Sequence, residues 1–149
     1  VNHLDESYAG EVPDILDNAY VIVDYENGCR AHLDLCMFAE SSRNEQELVA
    51  TGSGGKVECY IPEGIIRIGT RKWKDYETIE VGQDERVRYE GLHHGASYLE
   101  HLDLLDCIRN GRPPRVTASD GMMAVAVGIA AHRSIDEQLP VTLAEVGVG

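Results

Sequence analysis

The stretch NAYVIVDYENGCRAHLDLCM, residues 18–37, decides the fold. Residues 18–25 are rich in β-branched and aromatic types, and Glu26-Asn27-Gly28 follows them. Asn-Gly between two such runs is the strongest short-range hairpin signal. The return strand, about 29–38, alternates: Cys29, Ala31, Leu33, Leu35 and Met37 point one way, Arg30, His32 and Asp34 the other. An antiparallel pair with one apolar face therefore opens the chain.

The same reading extends along the first half. Strands are predicted at about 46–51, 56–61, 65–70, 76–81 and 86–90, separated by Gly52 to Gly55, Pro62-Glu63-Gly64 and Gly82-Gln83-Asp84. Turns this short join antiparallel neighbours, whereas parallel strands need helical crossovers between them. The second half changes period. Leu99, Leu102, Leu105 and Ile108 recur every third residue, widened by Tyr98 and Leu104, which predicts a helix from Ala96 to Asn110. Gly111 stands where a left-handed C-terminal residue belongs, and Pro113-Pro114 prevents continuation. A second helix starts near Thr117 to Asp120, where Ser119 and Asp120 can cap exposed N–H groups. Met122 to Ala131 is apolar all round, so this helix is expected to be covered on most sides. A last short strand is expected around Val141 to Leu143. Strands followed by helices give an α+β fold in two layers: an open, mostly antiparallel sheet with two helices packed on one face.

The chain has 149 residues, enough for a single domain of about 100–200 residues. Acids outnumber bases 26 to 13, for a net charge of −13. Nucleic acid and anionic membrane surfaces both select Lys and Arg, so neither is an expected partner. The longest apolar run, Met122 to Ala131, is ten residues, against about 20 for a membrane span. Val1 opens the chain with no basic segment and apolar stretch behind it, so no signal peptide is expected and the sequence reads as processed or cut from a longer one. Cys29, Cys36, Cys59 and Cys107 show no CxxC spacing and sit among apolar residues, which predicts reduced core thiols in a cytoplasmic protein.

Several motifs invite a chemical reading. Gly52-Ser53-Gly54-Gly55-Lys56 resembles a phosphate loop, but a dinucleotide fingerprint needs Gly at Val57, and a Walker loop needs Gly at Ala50 and Ser or Thr at Val57. Both also require a helix next, and the sequence continues as a strand. Leu92-His93-His94-Gly95 is the main candidate: two adjacent imidazoles in a loop before a helix can contact a hydroxylated or anionic ligand. Solvated loop residues are the bland alternative. A metal site with His101 is a third, although no HxxxH or HExxH spacing supports zinc. His132-Arg133 suits a helix C-terminus, His32 the polar face of the hairpin, and Arg71-Lys72-Trp73-Lys74 an exposed loop. There is no GxSxG, no Cys in a basic setting and no paired-carboxylate pattern, so no catalytic residue is assigned.

Tyr98-Leu99-Glu100, Leu105-Asp106-Cys107-Ile108-Arg109-Asn110-Gly111-Arg112-Pro113-Pro114, Ala118-Ser119-Asp120-Gly121-Met122, Ala130-Ala131-His132-Arg133-Ser134-Ile135 and Leu139-Pro140-Val141 together resemble the end of the glucose–fructose oxidoreductase/inositol dehydrogenase (Gfo/Idh/MocA) family. Asn18-Ala19-Tyr20, Asn27-Gly28-Cys29-Arg30-Ala31, and Thr51-Gly52 with Gly55-Lys56-Val57-Glu58 resemble its earlier hairpins, so the resemblance covers nearly the whole chain.

The resemblance implies a C-terminal domain, residues 1–149, with a dihydrodipicolinate-reductase-like open sheet that serves substrate binding and oligomerisation. An N-terminal Rossmann domain for NAD or NADP would lie outside this chain. It implies an oxidoreductase acting on a sugar, polyol or related hydroxylated small molecule, with no cofactor bound and no activity in this chain alone. It also implies a homo-oligomer formed through the sheet face. The family's His/Asp motif is not assigned to His3 and Asp5, which lack the surrounding helix pattern. The loop before Ala96 faces the family's active-site cleft, which singles out His93, His94 and Tyr98 as substrate contacts. A non-enzymatic oligomerisation or interaction module of the same fold is the alternative.

Overall fold

A computed structural model describes residues 15–39, 41–72 and 75–148. His3 and Asp5, and Trp73 and Lys74 of the basic patch, lie outside the described residues. Among the described residues, six strands and two helices follow in the predicted order: β1 (Asn18–Asp24), β2 (Arg30–Cys36), β3 (Gln46–Gly52), β4 (Gly55–Ile61), β5 (Ile65–Thr70), β6 (Tyr76–Glu80), α1 (Ala96–Asn110) and α2 (Ala118–Glu137). The class is α+β, and every strand pairing is antiparallel.

The contacts divide the chain into two units, residues 1–41 with 118–149, and residues 42–117. In the first, β1 and β2 form a two-stranded sheet. Its turn is a three-residue loop, in which the Gly28 N–H donates to the Tyr25 carbonyl (2.9 Å) and Gly28 takes φ +82°. Left-handed backbone at the end of such a loop selects Gly at that place. The register sets Ala19, Val21 and Val23 opposite Leu35, Leu33 and Ala31, and sets Ile22 and Asp24 opposite His32 and Arg30, as the alternation requires. His32 is exposed, its ring stacked on Tyr20 at 6.0 Å.

Three features of this unit differ from the sequence reading. Cys29 and Cys36 are exposed, because Cys29 lies in the turn and Cys36 shares the face of His32 and Asp34. In α2 the buried residues are Ala126 and Ala130, one turn apart, while Met122, Met123, Val125 and Ile129 stay exposed. The helix is thus covered along one narrow line of small residues. Residues 141–143 form no strand but lead into a 3-10 turn, Ala144–Val146. The Glu145 carboxylate accepts from the Thr142 N–H (2.7 Å) and hydroxyl (2.6 Å), and the Glu145 carbonyl accepts from Arg133 (3.0 Å). Such local side-chain bonds satisfy backbone groups that a sheet would otherwise claim.

In the second unit, β3-β4-β5-β6 form a four-stranded meander. The strands therefore fall into two sheets among the described residues. They are separated by residues 37–45, where Ser41 (φ +64°), Ser42, Arg43 and Asn44 carry no alternating pattern. In the meander Leu48, Val57, Cys59, Ile66, Ile68 and Ile79 share one face, and Lys56, Glu58, Arg67 and Thr78 the other. Residues 86–90 are not a strand. The Asp84 carboxylate accepts from the Arg86 N–H (2.9 Å) and grips its guanidinium (2.6 Å), and the Val87 N–H donates to the Asp84 carbonyl (3.0 Å). An Asp two residues before the N–H it binds makes a turn in place of an extended run. Helix α1 ends at Gly111 with φ +64°. Cys107 is its buried residue, and the Arg112 guanidinium spans Asp103 and Asp106, its Nε 2.5 Å from Asp106 Oδ2.

Candidate functional site

The Asp84–Arg86 turn leads the chain into a tight 3-10 turn, Gly91–His93, directly before α1. His94 follows in left-handed conformation (φ 51°, ψ 34°), then Gly95 at φ +86°. The Gly95 N–H donates to the Glu90 carbonyl (2.7 Å), and its carbonyl accepts from the Leu99 N–H (3.1 Å). Gly95 is buried, and a Cβ there would stand 2.8 Å from Val87 Cγ1. Only glycine satisfies both the dihedral and the close approach.

This backbone directs the two imidazoles to different partners. His93 Nδ1 lies 3.2 Å from Ser97 Oγ, on the first turn of α1. His94 Nε2 lies 3.1 Å from Glu45 Oε2. His101 Nδ1 donates to the Ser97 carbonyl (2.6 Å), so Ser97 joins the loop to the next helical turn. Tyr98 is half-buried and makes no hydrogen bond or ring contact with either histidine among the described residues. The predicted trio therefore shares one loop–helix junction without a direct link between its members. No three His, Cys, Asp or Glu side chains among the described residues are arranged to hold a metal ion. Among the described residues, His93, His94 and His101 each keep one ring nitrogen without a protein hydrogen bond, and such nitrogens are suited to hydroxyl groups of a ligand.

Glu45 escaped the sequence reading, since it stands 49 positions from His94 and belongs to no motif. It is fixed at the head of β3. Its N–H donates to the Ile61 carbonyl (2.8 Å), Asn44 Oδ1 accepts from the Glu63 N–H (3.3 Å), and Arg43 pairs with the Glu63 carboxylate.

The glycine-rich segment 52–55 is a strand turn: Gly52 pairs with Gly55, and β4 follows, not a helix. This segment therefore does not fit a dinucleotide, whose pyrophosphate needs a helix N-terminus behind such a loop. Beside this turn a shallow groove of about 450 Å³ crosses the polar face of the meander, with Lys56, Glu58, Arg67 and Tyr76 among its walls. The Arg67 guanidinium lies over the Tyr60 and Tyr76 rings at 4.9 and 5.7 Å. Around Arg112 the two carboxylates are held below their ordinary range by hydrogen bonds from that guanidinium, and it is raised in turn by Asp106 and Asp103. That cluster fastens the chain after α1 to the helix. His132 is exposed and Arg133 pairs with Glu137 (2.9 Å), a helix-end role. No helix among the described residues is long and apolar enough to cross a membrane.

Among the described residues, two antiparallel sheets and two helices make up an α+β domain. The sequence profile of the oxidoreductase family's C-terminal alpha/beta domain matches residues 2–143, and the chain belongs to that Gfo/Idh/MocA family. It is 27% identical over 135 residues to a scyllo-inositol 2-dehydrogenase (NAD(+)) of Bacillus subtilis, covering 86% of this chain and 35% of that protein. A myo-inositol 2-dehydrogenase of Thermotoga maritima is 43% identical over 51 residues, which is 34% of this chain and 15% of that protein. The chain thus matches about a third or less of the length of these relatives.

Proposed function

We propose that this chain is the substrate-side and assembly-forming domain of an NAD(P)-dependent dehydrogenase that acts on a cyclic polyol, a sugar or a related hydroxylated small molecule. One observation carries the reading: the match to the scyllo-inositol dehydrogenase runs through 86% of this chain yet only 35% of that protein. The dinucleotide would then bind a Rossmann domain of the full-length protein and supply hydride chemistry there. Residues of this chain bind and orient the substrate. His93 and His94 offer ring nitrogens to its hydroxyl groups, and Tyr98 backs the loop. A second copy of the chain packs on the polar face of β3–β6, where Val49 and Tyr76 are 55% and 57% exposed among charged neighbours. Exposed apolar side chains on a sheet face favour such pairing. Four unpaired cysteines suit a cytoplasmic setting.

The test uses the full-length protein with NAD+ or NADP+ and, in turn, myo-inositol, scyllo-inositol and glucose. Reduction of the nicotinamide with at least one of them is expected, weakened by His93→Ala and His94→Ala through KM. No reduction with any of the three removes the dehydrogenase reading. Unchanged KM in both variants removes the site.

A further inference from the structure

We infer that Glu45 is a positioning residue for His94, fixing the imidazole so that Nδ1 faces the ligand as a hydrogen-bond acceptor. The inference rests on His94 being a substrate contact.

Two independent features of the geometry converge on this pair. The first is the contact itself, His94 Nε2 to Glu45 Oε2 at 3.1 Å, between a loop and the head of a strand 49 residues away. Glu45 is not a loose surface acid, because its backbone is bonded to Ile61 and the preceding residue to Glu63. The second is the backbone of His94, left-handed at φ 51° with a glycine beside it. A non-glycine residue costs free energy there, and such residues persist where surrounding structure over-determines them, often at ligand sites. Glycine would satisfy the turn better, so what the position gains from histidine is its side chain.

Stability does not explain the pair. With side chains 34% and 62% exposed, an ion pair of this kind contributes little to folding. Orientation is a different matter. A carboxylate only accepts, so neutral His94 must carry its proton on Nε2 to bond Glu45. Nδ1 is then left with a lone pair, which accepts from an alcohol hydroxyl and repels a carbonyl or carboxylate oxygen. The negative charge of Glu45 works in the same direction against anionic ligands. The junction therefore selects a neutral polyol hydroxyl over a sugar acid. His93 differs, since its partner is a hydroxyl that both donates and accepts and so fixes no tautomer.

The experiment uses the full-length protein with labelled histidine, reading the His94 tautomer by nitrogen-15 NMR and, in parallel, the kinetics with NAD+ and myo-inositol or scyllo-inositol. Wild type is expected to hold the Nε2–H tautomer. Glu45→Ala should give a mixed population and a KM raised about five- to tenfold at nearly unchanged kcat, the loss of roughly one oriented hydrogen bond. Glu45→Gln presents an amide that both donates and accepts, so it fixes no tautomer and should also give a mixed population. A tautomer unchanged in Glu45→Ala overturns the inference, whether or not either inositol is turned over. If His94→Ala raises KM while Glu45→Ala does not, the positioning role alone fails. If His94→Ala leaves KM unchanged, the substrate contact beneath it fails.

Discussion

Gly55 and Gly69 lie so close across β4 and β5 that a Cβ on Gly55 would stand 2.1 Å from the Gly69 carbonyl oxygen. The obstacle is backbone, which cannot rotate away. Gly55→Ala is therefore expected to destabilise the protein by about 2–3 kcal/mol through overpacking and a displaced strand. Gly111→Ala meets nothing within 4 Å and keeps only the left-handed strain, costing about 1–2 kcal/mol, with Gly111→Asn milder. Denaturant unfolding of both variants should rank Gly55→Ala as the more damaging; the reverse order would refute the steric account.

Acid should loosen the turn that follows β6. Arg86, through its guanidinium and its backbone N–H, holds the Asp84 carboxyl down at about 2, against an ordinary 3.8. A depressed folded value means that the unfolded chain binds the proton first, so the contribution is complete above 3.8 and is lost as pH falls towards 2. Comparison of wild type with Asp84→Asn by thermal unfolding should show a gap at neutral pH that closes in this acid window. A gap independent of pH would point to the turn's backbone bonds alone.

Arg112 reaches two carboxylates at once, Asp106 through Nε and Asp103 through Nη2. A lysine is a point charge and cannot span both. Arg112→Lys and Arg112→Ala are accordingly expected to lower Tm by similar amounts, each loosening the segment after Gly111 in hydrogen exchange. Full rescue by lysine would show that charge alone suffices.

His94→Gly separates folding from binding. Removing the side chain relieves the left-handed backbone at φ 51°, so Tm should hold or rise. Substrate KM in the full-length protein should rise, because the ring is gone. A fall in both stability and affinity would mean that the His94–Glu45 contact holds the loop together.

Local signals carried most of the fold. Gly111 and the prolines behind it end α1 where the sequence places its end, and the alternation from Ala31 to Leu35 fixes the face of β2. The failures have a common cause. At residues 86–90 and 141–143 the β-branched residues suggested strands, but Asp84 and Glu145 bind nearby N–H groups and close turns instead. At the candidate site, His93, His94 and Tyr98 stood out as one short run. Glu45 did not, since nothing local marks a carboxylate whose partner lies 49 residues on.

The division into residues 42–117 and residues 1–41 with 118–149 predicts an order of folding during synthesis. Each strand of β3–β6 pairs with the next, so that sheet needs only short closures and can form while synthesis continues, at roughly 5–20 residues per second. The β1–β2 hairpin emerges earlier but is finished later. A lone two-stranded hairpin is marginal in water, and it must wait for residues 118–149 before its own unit is complete. The β3–β6 sheet is therefore expected to close before the unit that the β1–β2 hairpin shares with residues 118–149.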